Sequence, residues 1–251
     1  MKRHLLSIGL LVLTAAPLLA QQDDVETRAM RDELQRSMKD LHLDSTEGPY
    51  YIAYKIVDSD RKAAEASFGS LLSSGETRNR TLTVTVRIGS YDFDSSNYNG
   101  AGLASLTALL TSIAGGNNVL PVDDSYDELR RKIWLATDAA YKKAVEDLSA
   151  KKAAQLNRNR EETVPDFSKE PARAESEDLP PINGNLADAE RIVRETSAVF
   201  RTLPLVQTSE AIYEVENTTE HFLNSEGATY TDTQFVNNMK NGTAAGVLMA
   251  K

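Results

Sequence analysis

Strict alternation of apolar and polar side chains over residues 80–88 constrains the fold more than any other feature. Its apolar members are Leu82, Val84, Val86 and Ile88. Successive side chains of a β-strand point to opposite faces, so the run predicts a strand with one buried and one solvated face. Such a sheet favours antiparallel pairing. The Ser-Ser-Gly stretch at residues 73–75 predicts the turn of a hairpin.

Helices are predicted on both sides of this region. Residues 25–42 place apolar side chains at spacings of three and four, which is the period of an amphipathic helix. A longer apolar stripe over residues 129–148 predicts a helix that ends near residue 155. Ser125 and Glu128 have capping-box spacing at its start, where they would satisfy two free amide donors.

Residues 157–187 divide the chain, because four of the eight prolines and many charges fall there. We expect a Pro-rich charged linker, since a loop this long inside a compact domain is usually functional or disordered. The predicted organisation has a signal peptide over residues 1–20 and a helix–strand–long-helix portion over residues 21–156. A helix plus β-hairpin portion follows the linker over residues 188–251.

The last portion contains a predicted turn formed by Asn224, Ser225, Glu226 and Gly227. Gly227 suits this turn because glycine adopts positive φ without steric cost. The order of predicted elements is helix, strands, long helix, helix, strands. This order predicts an α+β fold, with a mainly antiparallel sheet flanked by a long helix and two or three shorter helices.

The N-terminus has the pattern of a secretory signal. Basic Lys2 and Arg3 precede an apolar run over residues 5–19, and Ala20 provides a small residue for cleavage. We expect a periplasmic or secreted protein with no transmembrane span after cleavage, because the run is short for a bilayer. An uncleaved membrane anchor is the alternative.

The charge and cysteine content exclude several classes of function. Without residues 1–20 the chain carries 26 basic and 37 acidic residues, a net charge of −11. An acidic surface repels phosphate backbones, so we expect no nucleic-acid partner. The chain has no cysteine, which excludes disulfides, thiol nucleophiles and cysteine–zinc sites.

No residue pattern indicates catalysis or metal binding. His42 and His221 are isolated from each other and from any His-Glu pair, so the spacing of a helical zinc site is missing. We expect His42 at a helix end and His221 on a strand surface. We therefore assign no catalytic residue, no metal ligand and no cofactor to this chain.

The acidic pairs of the sequence are predicted to lie in polar turns. The stretch beginning Asp92-Phe-Asp94 resembles a calcium loop, but Asn97 replaces the required glycine and Leu103 the required glutamate. We expect solvated turns also at the aspartates Asp58, Asp60, Asp123 and Asp124, the last of which could assist the start of the long helix.

Residues 95–122 contain no charged residue. Their leucines and flanking glycines predict either a short amphipathic helix, acting as a lid or interaction surface, or a mobile loop packed on the sheet.

Four sets of segments resemble the N-terminal half of TldD/PmbA-type proteins, especially exported bacterial members. In chain order they are Met30-Arg-Asp-Glu-Leu34 with Pro49-Tyr-Tyr-Ile52; Ala66-Ser-Phe-Gly-Ser-Leu-Leu72; Asp123-Asp-Ser-Tyr-Asp-Glu-Leu-Arg-Arg131 with Trp134-Leu-Ala-Thr-Asp138 and Tyr141-Lys-Lys143; and Val164-Pro-Asp-Phe-Ser-Lys169 with Phe222-Leu-Asn-Ser-Glu-Gly227. The resemblance extends over residues 25–240.

The resemblance implies zinc-dependent peptide hydrolysis, performed by a His-Glu-x-x-x-His helix in a C-terminal half. This sequence has no such helix and stops at Lys251, whereas a full family member is about twice as long. We therefore expect a non-catalytic N-terminal domain, or a truncated form, with zinc only in a missing C-terminal half. The resemblance implies that such a domain shapes substrate access and binds its C-terminal half or a second TldD/PmbA-like subunit.

Extended peptides could also pair with a sheet edge. The main alternative is a self-sufficient periplasmic binding or scaffold protein without enzymatic activity. A free-standing hydrolase that uses clustered carboxylates is a third hypothesis.

Overall fold

The residues that the structure describes form an α+β fold, with a six-stranded and mostly antiparallel sheet and three helices, as the sequence predicts. It comes from a computed structural model that describes residues 24–44, 46–97, 119–158, 164–177 and 184–245. The predicted signal segment and residues 98–118 of the uncharged segment lie outside the described residues.

The elements follow one another in chain order with the following bounds. The helices are α1 (Val25–Asp40), α2 (Tyr126–Arg158) and α3 (Leu186–Ala198), the last continued by a 3-10 turn over Val199–Thr202. The strands are β1 (Tyr51–Ser67), β2 (Ser70–Arg87), β3 (Val119–Leu120), β4 (Ala174–Glu177), β5 (Val206–Asn224) and β6 (Thr229–Ala245). Among the described helices, none combines the length and apolar character that crossing a bilayer requires.

Two long antiparallel hairpins, β1–β2 and β5–β6, form most of the sheet. They join through β1 and β5, so that the strand order is β3-β2-β1-β5-β6-β4. Tyr54 of β1, for example, lies between Val84 of β2 and Leu223 of β5. The short β4 pairs with the start of β6 and is the only parallel strand among those described.

The larger core lies at one end of the sheet, under α1 and α2. The alternating side chains Ile52, Tyr54 and Ile56 of β1 are all fully buried there. They pack against Leu82, Leu223, Met30, Leu34, Leu129 and Ile133. Each such side chain contributes about 1.5–3 kcal/mol through burial, so this end of the sheet is the more strongly stabilised.

A smaller core lies at the other end of the same sheet face, under α3. Ala64 and Ala66 continue the inward-facing positions of β1, and they pack against Ala211 of β5 and Ala189 and Val193 of α3. Because most of these side chains are single methyl groups, this core buries little apolar area. The centre of the sheet face lies between the two cores.

The turn of the first hairpin lies at Phe68 and Gly69, whereas the sequence predicted it at residues 73–75. Phe68 has φ of 46° and Gly69 has φ of 77°. A two-residue hairpin turn with positive φ at both positions matches the right-handed twist of its strands. The Ser-Ser-Gly stretch lies inside β2, where Gly75 pairs with Ala63.

Part of the segment predicted as a linker is packed against the domain. Phe167 lies edge-on against Tyr51, with 4.9 Å between ring centroids. Asp166 forms a buried ion pair with Lys151 of α2. Residues 164–177 therefore contact both the sheet and the long helix, and they end in β4.

Candidate functional site

A polar cleft of about 270 Å³ opens on the sheet face between the two cores. Its floor comes from β1, β2 and β5, and one wall comes from the starts of α1 and α2. Its lining residues are Glu26, Asp58, Ser59, Asp60, Arg78, Arg80, Asp124, Asn217, Thr219 and His221. The cleft is thus built from segments far apart in the sequence.

Arg80 is the central residue of the cleft. Its side chain is only 1% exposed, and its Nε donates to both Asp58 carboxylate oxygens at 2.9 Å. Its Nη2 reaches Asp124 at 3.0 Å and also pairs with Glu26. Arg80 points inward because it belongs to the same alternating run as Leu82. Its guanidinium therefore joins β1 to the starts of α1 and α2.

His221 holds the beginning of α1 against β5. Its Nδ1 lies 3.1 Å from Asp24 Oδ2, which is ion-pair distance, although the N–H is not aligned for a hydrogen bond. Asp24 is also the N-cap of α1, since its Oδ1 accepts a hydrogen bond of 2.6 Å from the Thr27 amide. One carboxylate thus caps the helix and contacts the histidine.

The pKa values in the cleft reflect competition between burial and ion pairing. Burial alone would lower the pKa of His221, but the carboxylates of Asp24, Glu26 and Asp58 together raise that pKa above its usual value. Burial would raise the pKa of Asp24, yet His221 and the Thr27 amide together lower it to about 2. Burial dominates at Glu26 and raises its pKa, despite the nearby Arg80.

The cleft lining mixes acidic, basic and amide groups. Asp60 and Arg78 are exposed at its opening, while Arg80 and His221 are buried at its base. Such a surface can bind a polar ligand through both hydrogen-bond donors and acceptors. The described residues contain no group of three or more His, Cys, Asp or Glu side chains placed to hold a metal ion.

Several sequence predictions about these residues were wrong. His221 is 7% exposed and paired, whereas we predicted a surface position on its strand. Asp58 and Asp60 lie within β1 rather than in a turn, because β1 continues through them to Ser67. Arg80 was missed altogether, although its place in the alternating run was a signal that its side chain points inward.

Asp94 also differs from the solvated turn residue that the sequence predicted. It is completely buried, and it accepts hydrogen bonds from the Tyr50 hydroxyl at 2.6 Å and from Arg87 at 2.9 Å. The Ser96 amide donates to its other oxygen at 2.7 Å. Asp94 thus anchors the chain that follows β2. Its carboxylate oxygens accept hydrogen bonds from donors of the protein itself.

The Asn224-Ser225-Glu226-Gly227 segment connects β5 to β6. Asn224 Oδ1 accepts hydrogen bonds from the amides of Glu226 and Ala228, at 3.0 and 2.9 Å. Ser225 exchanges hydrogen bonds with the backbone of Ile52 on the neighbouring strand β1. Gly227 has φ of 90°, which glycine adopts readily.

The remaining predicted residues lie at helix ends. Helix α2 begins at Tyr126, directly after Ser125, and the Glu128 carboxylate accepts a hydrogen bond of 3.0 Å from Arg131. The reciprocal capping box of Ser125 and Glu128 stays a prediction. His42 is exposed just beyond α1.

Comparisons with known proteins found structural neighbours only. No family model matches the sequence, and no curated protein matches it. The neighbours include TldE from Thermococcus kodakarensis, with a TM-score of 0.49 and 11% identity over 88% of this chain. Two others are described as proposed modulators of DNA gyrase. The one from Thermotoga maritima has a TM-score of 0.43 and 8% identity over 86% of this chain.

The third neighbour, from Bacteroides thetaiotaomicron, has a TM-score of 0.43 and 12% identity over 89% of this chain. The matches cover 40%, 41% and 42% of the three neighbours, in the order given. The chain thus spans less than half the length of each.

Proposed function

We propose that this chain is the non-catalytic N-terminal domain of an exported TldD/PmbA-like metallopeptidase, in which it shapes substrate access and subunit contacts. The observation that supports this most is the convergence of the segments that resemble the family. Glu33 of the first set pairs with Arg130 of the third at 3.2 Å. Ile52 of the first set and Ser225 of the last exchange hydrogen bonds. The resemblance thus falls on contacts that hold the domain together.

The cleft supports the proposed role in substrate access. An extended peptide presents amide donors and acceptors along its length and charges at its ends and side chains. The cleft offers matching groups, with Asp60 and Arg78 at its opening. Its buried charged groups form ion pairs with one another, as Asp58 does with Arg80. Groups held in such pairs suit a binding surface better than they suit proton transfer. Hydrolysis would be supplied by zinc in a C-terminal half.

The enzymatic part of the proposal is tested with the chain lacking residues 1–20. We expect no stoichiometric zinc by elemental analysis and no peptide cleavage. We expect cleavage when a C-terminal half carrying the His-Glu-x-x-x-His helix is added, and no cleavage when its glutamate is replaced by glutamine. Chelator-sensitive cleavage by this chain alone would overturn the proposal.

Export is tested by fractionating bacterial cells that produce the full chain with a C-terminal tag. We expect the tagged protein in the periplasm or medium, with an N-terminal sequence that starts at Gln21. A matched chain without residues 2–20 should stay in the cytoplasm. Cytoplasmic protein that retains residues 1–20 would contradict export.

The alternative function is that of a self-sufficient binding or scaffold protein. It is favoured by the cleft, which presents acidic, basic and amide groups together on one sheet face. This alternative predicts that the chain alone binds extended peptides and that Arg78→Met weakens this binding, while addition of a C-terminal half leaves it unchanged. If binding instead requires the C-terminal half, the metallopeptidase proposal is favoured.

A further inference from the structure

Every guanidinium nitrogen of Arg80 donates within the domain, whereas the carboxylates around it can accept more hydrogen bonds. Its Nε bonds both Asp58 oxygens at 2.9 Å, and its Nη1 bonds the Pro121 carbonyl at 3.3 Å. Its Nη2 bonds Asp124 at 3.0 Å and pairs with Glu26. A carboxylate has about four acceptor sites, so the three carboxylates keep acceptor capacity that Arg80 does not fill.

The charged groups that line the cleft are mostly negative. Four carboxylates line it against two guanidinium groups, those of Arg78 and Arg80. His221 also lines the cleft, but it is paired with Asp24, and that pair adds no net positive charge. The starts of α1 and α2 each add about half a positive elementary charge, which does not offset an excess of two carboxylates. The cleft therefore attracts a cation.

Asp60 and Asp124 carry this negative charge at the opening of the cleft. Asp60 is exposed, and its carboxylate has no ion-pair partner among the described residues, although Arg78 lies opposite it in the register of β1 and β2. The Asp124 side chain is 61% exposed and uses only Oδ1 to bond Arg80. The other two carboxylates lie deeper. A group that enters the cleft meets accessible carboxylates first.

The base of the cleft also contains a polar atom without a hydrogen bond. His221 is 7% exposed and lines the cleft, and its Nδ1 has no hydrogen-bond partner among the described residues. In native folds a buried polar atom of this kind commonly marks the place of a bound water, ion or ligand. It points to an occupant of the cleft, and the surrounding acceptors favour one that brings N–H donors.

The size of the cleft limits what this occupant can be. Its volume of about 270 Å³ is below the range of roughly 300–1,000 Å³ that is typical of sites for whole small molecules. It suits a single side chain or a chain end. The part of the chain that the structure describes places no three His, Cys, Asp or Glu side chains to hold a metal ion. An ammonium or guanidinium group, with its three to five N–H donors, matches the carboxylates better.

We propose that the cleft binds a positively charged group of an extended peptide, which is either a lysine or arginine side chain or a free amino terminus. Asp60 and Asp124 bind this group at the opening, and Glu26 and Asp58 attract it from the base. This inference rests on the proposed role in substrate access and adds to it a preference for basic peptides.

The preference is measured by isothermal titration calorimetry with matched peptides. Each is a short peptide of alanine, serine and glycine, acetylated and amidated at its ends, with one central lysine, arginine, citrulline or glutamate. We expect the lysine or arginine peptide to bind at least about tenfold more tightly than the citrulline and glutamate peptides. This advantage should shrink as the salt concentration rises, because salt screens the attraction between charges. A citrulline peptide with a free amino terminus distinguishes the two sources of positive charge.

Two samples are titrated, so that the preference and the proposed function are tested separately. One is the chain lacking residues 1–20. The other is the same chain with a C-terminal half whose His-Glu-x-x-x-His glutamate is replaced by glutamine, which prevents cleavage. The preference for a positive charge should appear in whichever sample binds peptides. Binding by the chain alone favours the self-sufficient binding protein, and binding that needs the C-terminal half favours the metallopeptidase domain.

Substitutions of Asp60 test whether the cleft is the site. Asp60→Asn should weaken binding of the lysine peptide about two- to fivefold, and Asp60→Lys at least about tenfold. Binding of the citrulline peptide should change less than about twofold. The control Asp40→Asn removes the same charge from the exposed end of α1, outside the cleft, and should leave all affinities unchanged. Melting temperatures should be similar in all variants, since Asp60 and Asp40 are exposed.

Three results would overturn the inference. The first is equal affinity for the lysine, citrulline and glutamate peptides, which would leave the cleft a peptide site without charge preference. The second is a lysine-peptide affinity that Asp60→Lys leaves intact or that Asp40→Asn lowers as much. The third is the absence of binding in both samples. Tighter binding of the free amino terminus than of the lysine side chain would support the inference and assign the charge to the chain end. The zinc and cleavage measurements are independent of these results.

Discussion

At the scale of single residues, Arg80 shows how a buried charge is accommodated in this sheet. Its position in an alternating run directs its side chain into the domain, where the guanidinium forms ion pairs with Asp58, Glu26 and Asp124. A buried charge is tolerated only when its partners offset the loss of hydration. Removing the guanidinium leaves Asp58 and Glu26 without the counter-charge that Arg80 provides. Arg78 is exposed to solvent, so its removal should not leave a buried carboxylate unpaired.

We predict that Arg80→Met lowers the free energy of unfolding by about 3–5 kcal/mol, because it leaves buried carboxylates unpaired. The matched control Arg78→Met, on the same strand, should change it by less than about 0.5 kcal/mol. Urea unfolding at neutral pH provides the measurement. Equal effects of the two substitutions would contradict the role given to Arg80.

His221 makes stability depend on pH in a defined direction. Its pKa is raised above 6.5 in the folded chain, so its contribution is fully present below pH 6.5 and is lost as the pH rises through the raised pKa. Asp24, whose pKa is lowered from 3.8 to about 2, contributes above pH 3.8 and loses this contribution as the pH falls towards 2. The ion pair is therefore fully charged between these limits.

We predict that His221→Gln removes the alkaline part of this dependence. The difference in unfolding free energy between the native chain and the variant should be largest near pH 5–6 and should shrink as the pH rises to 9. Glu26, Asp58 and Arg80 also face this histidine, so Asp24→Asn serves as the control that isolates the pair. A difference that stays constant with pH would contradict the assignment.

The partners in this network are distant in sequence, which limits what the sequence could predict. Asp58 meets Arg80 only through the register of β1 and β2, and Asp24 meets His221 only after the two hairpins join. A polar residue within a strand looks solvated until its partner is known. For this reason His221 was mispredicted as a surface residue, and Asp58 was mispredicted as a residue of a solvated turn.

At the scale of elements, the first hairpin shows why its turn was mispredicted. Ser and Gly are common turn residues, but the chain reverses where two adjacent residues adopt positive φ, at Phe68 and Gly69. A Cβ at Gly69 would lie 3.0 Å from the Cβ of Ala198 in α3. A Cβ at Gly75 would meet no atom within 4 Å.

We predict that Gly69→Ala lowers the free energy of unfolding by about 1–2 kcal/mol, because it places a side chain in the left-handed region and crowds α3. Gly75→Ala should leave it unchanged or raise it by up to about 1 kcal/mol, since alanine lowers the entropy of the unfolded chain. Thermal unfolding of both variants provides the measurement. The opposite ranking would place the turn at residues 73–75.

The strongly periodic elements were predictable, and their lengths were not. Helices α1 and α2 and the inward face of β2 follow from apolar spacing alone. β1 includes residues 58–67, a mostly polar stretch that gives no strand signal in the sequence. This stretch is extended because β2 and β5 satisfy its backbone hydrogen bonds on both sides.

At the scale of the whole molecule, the sheet is stabilised unequally along its length. The core under α1 and α2 contains large side chains such as Tyr54 and Ile56, whereas the core under α3 consists mainly of alanines. Buried area determines most of the apolar stabilisation. The α3 end should therefore open more readily than the end that contains Tyr54.

We predict that amide hydrogen exchange is faster at the α3 end of the hairpins than at the other end. Residues 70–76 of β2 should exchange through local opening at a lower free energy than residues 80–87 of the same strand. Val193→Ala should increase this difference by removing the largest buried side chain under α3. Mass spectrometry of native-state exchange provides the measurement, and uniform protection along β2 would contradict it.

The fold class was predictable from the order of elements, but the arrangement of the strands was not. Adjacent hairpins can join through several pairs of edges, and local sequence favours none of them. Here β1 and β5 provide the joining edges, and all described helices pack on one face. That choice also creates the polar cleft, because it brings Asp58 and His221 onto adjacent strands.

The central place of β1 has a consequence for the order in which the chain folds. β2 follows β1 after two residues, whereas β5 begins only at Val206, so one edge of β1 stays unpaired until synthesis has passed Val206. Pairings between distant segments form slowly, and exposed strand edges promote aggregation during the delay. A nascent chain of this protein should therefore need protection by chaperones until its second hairpin emerges.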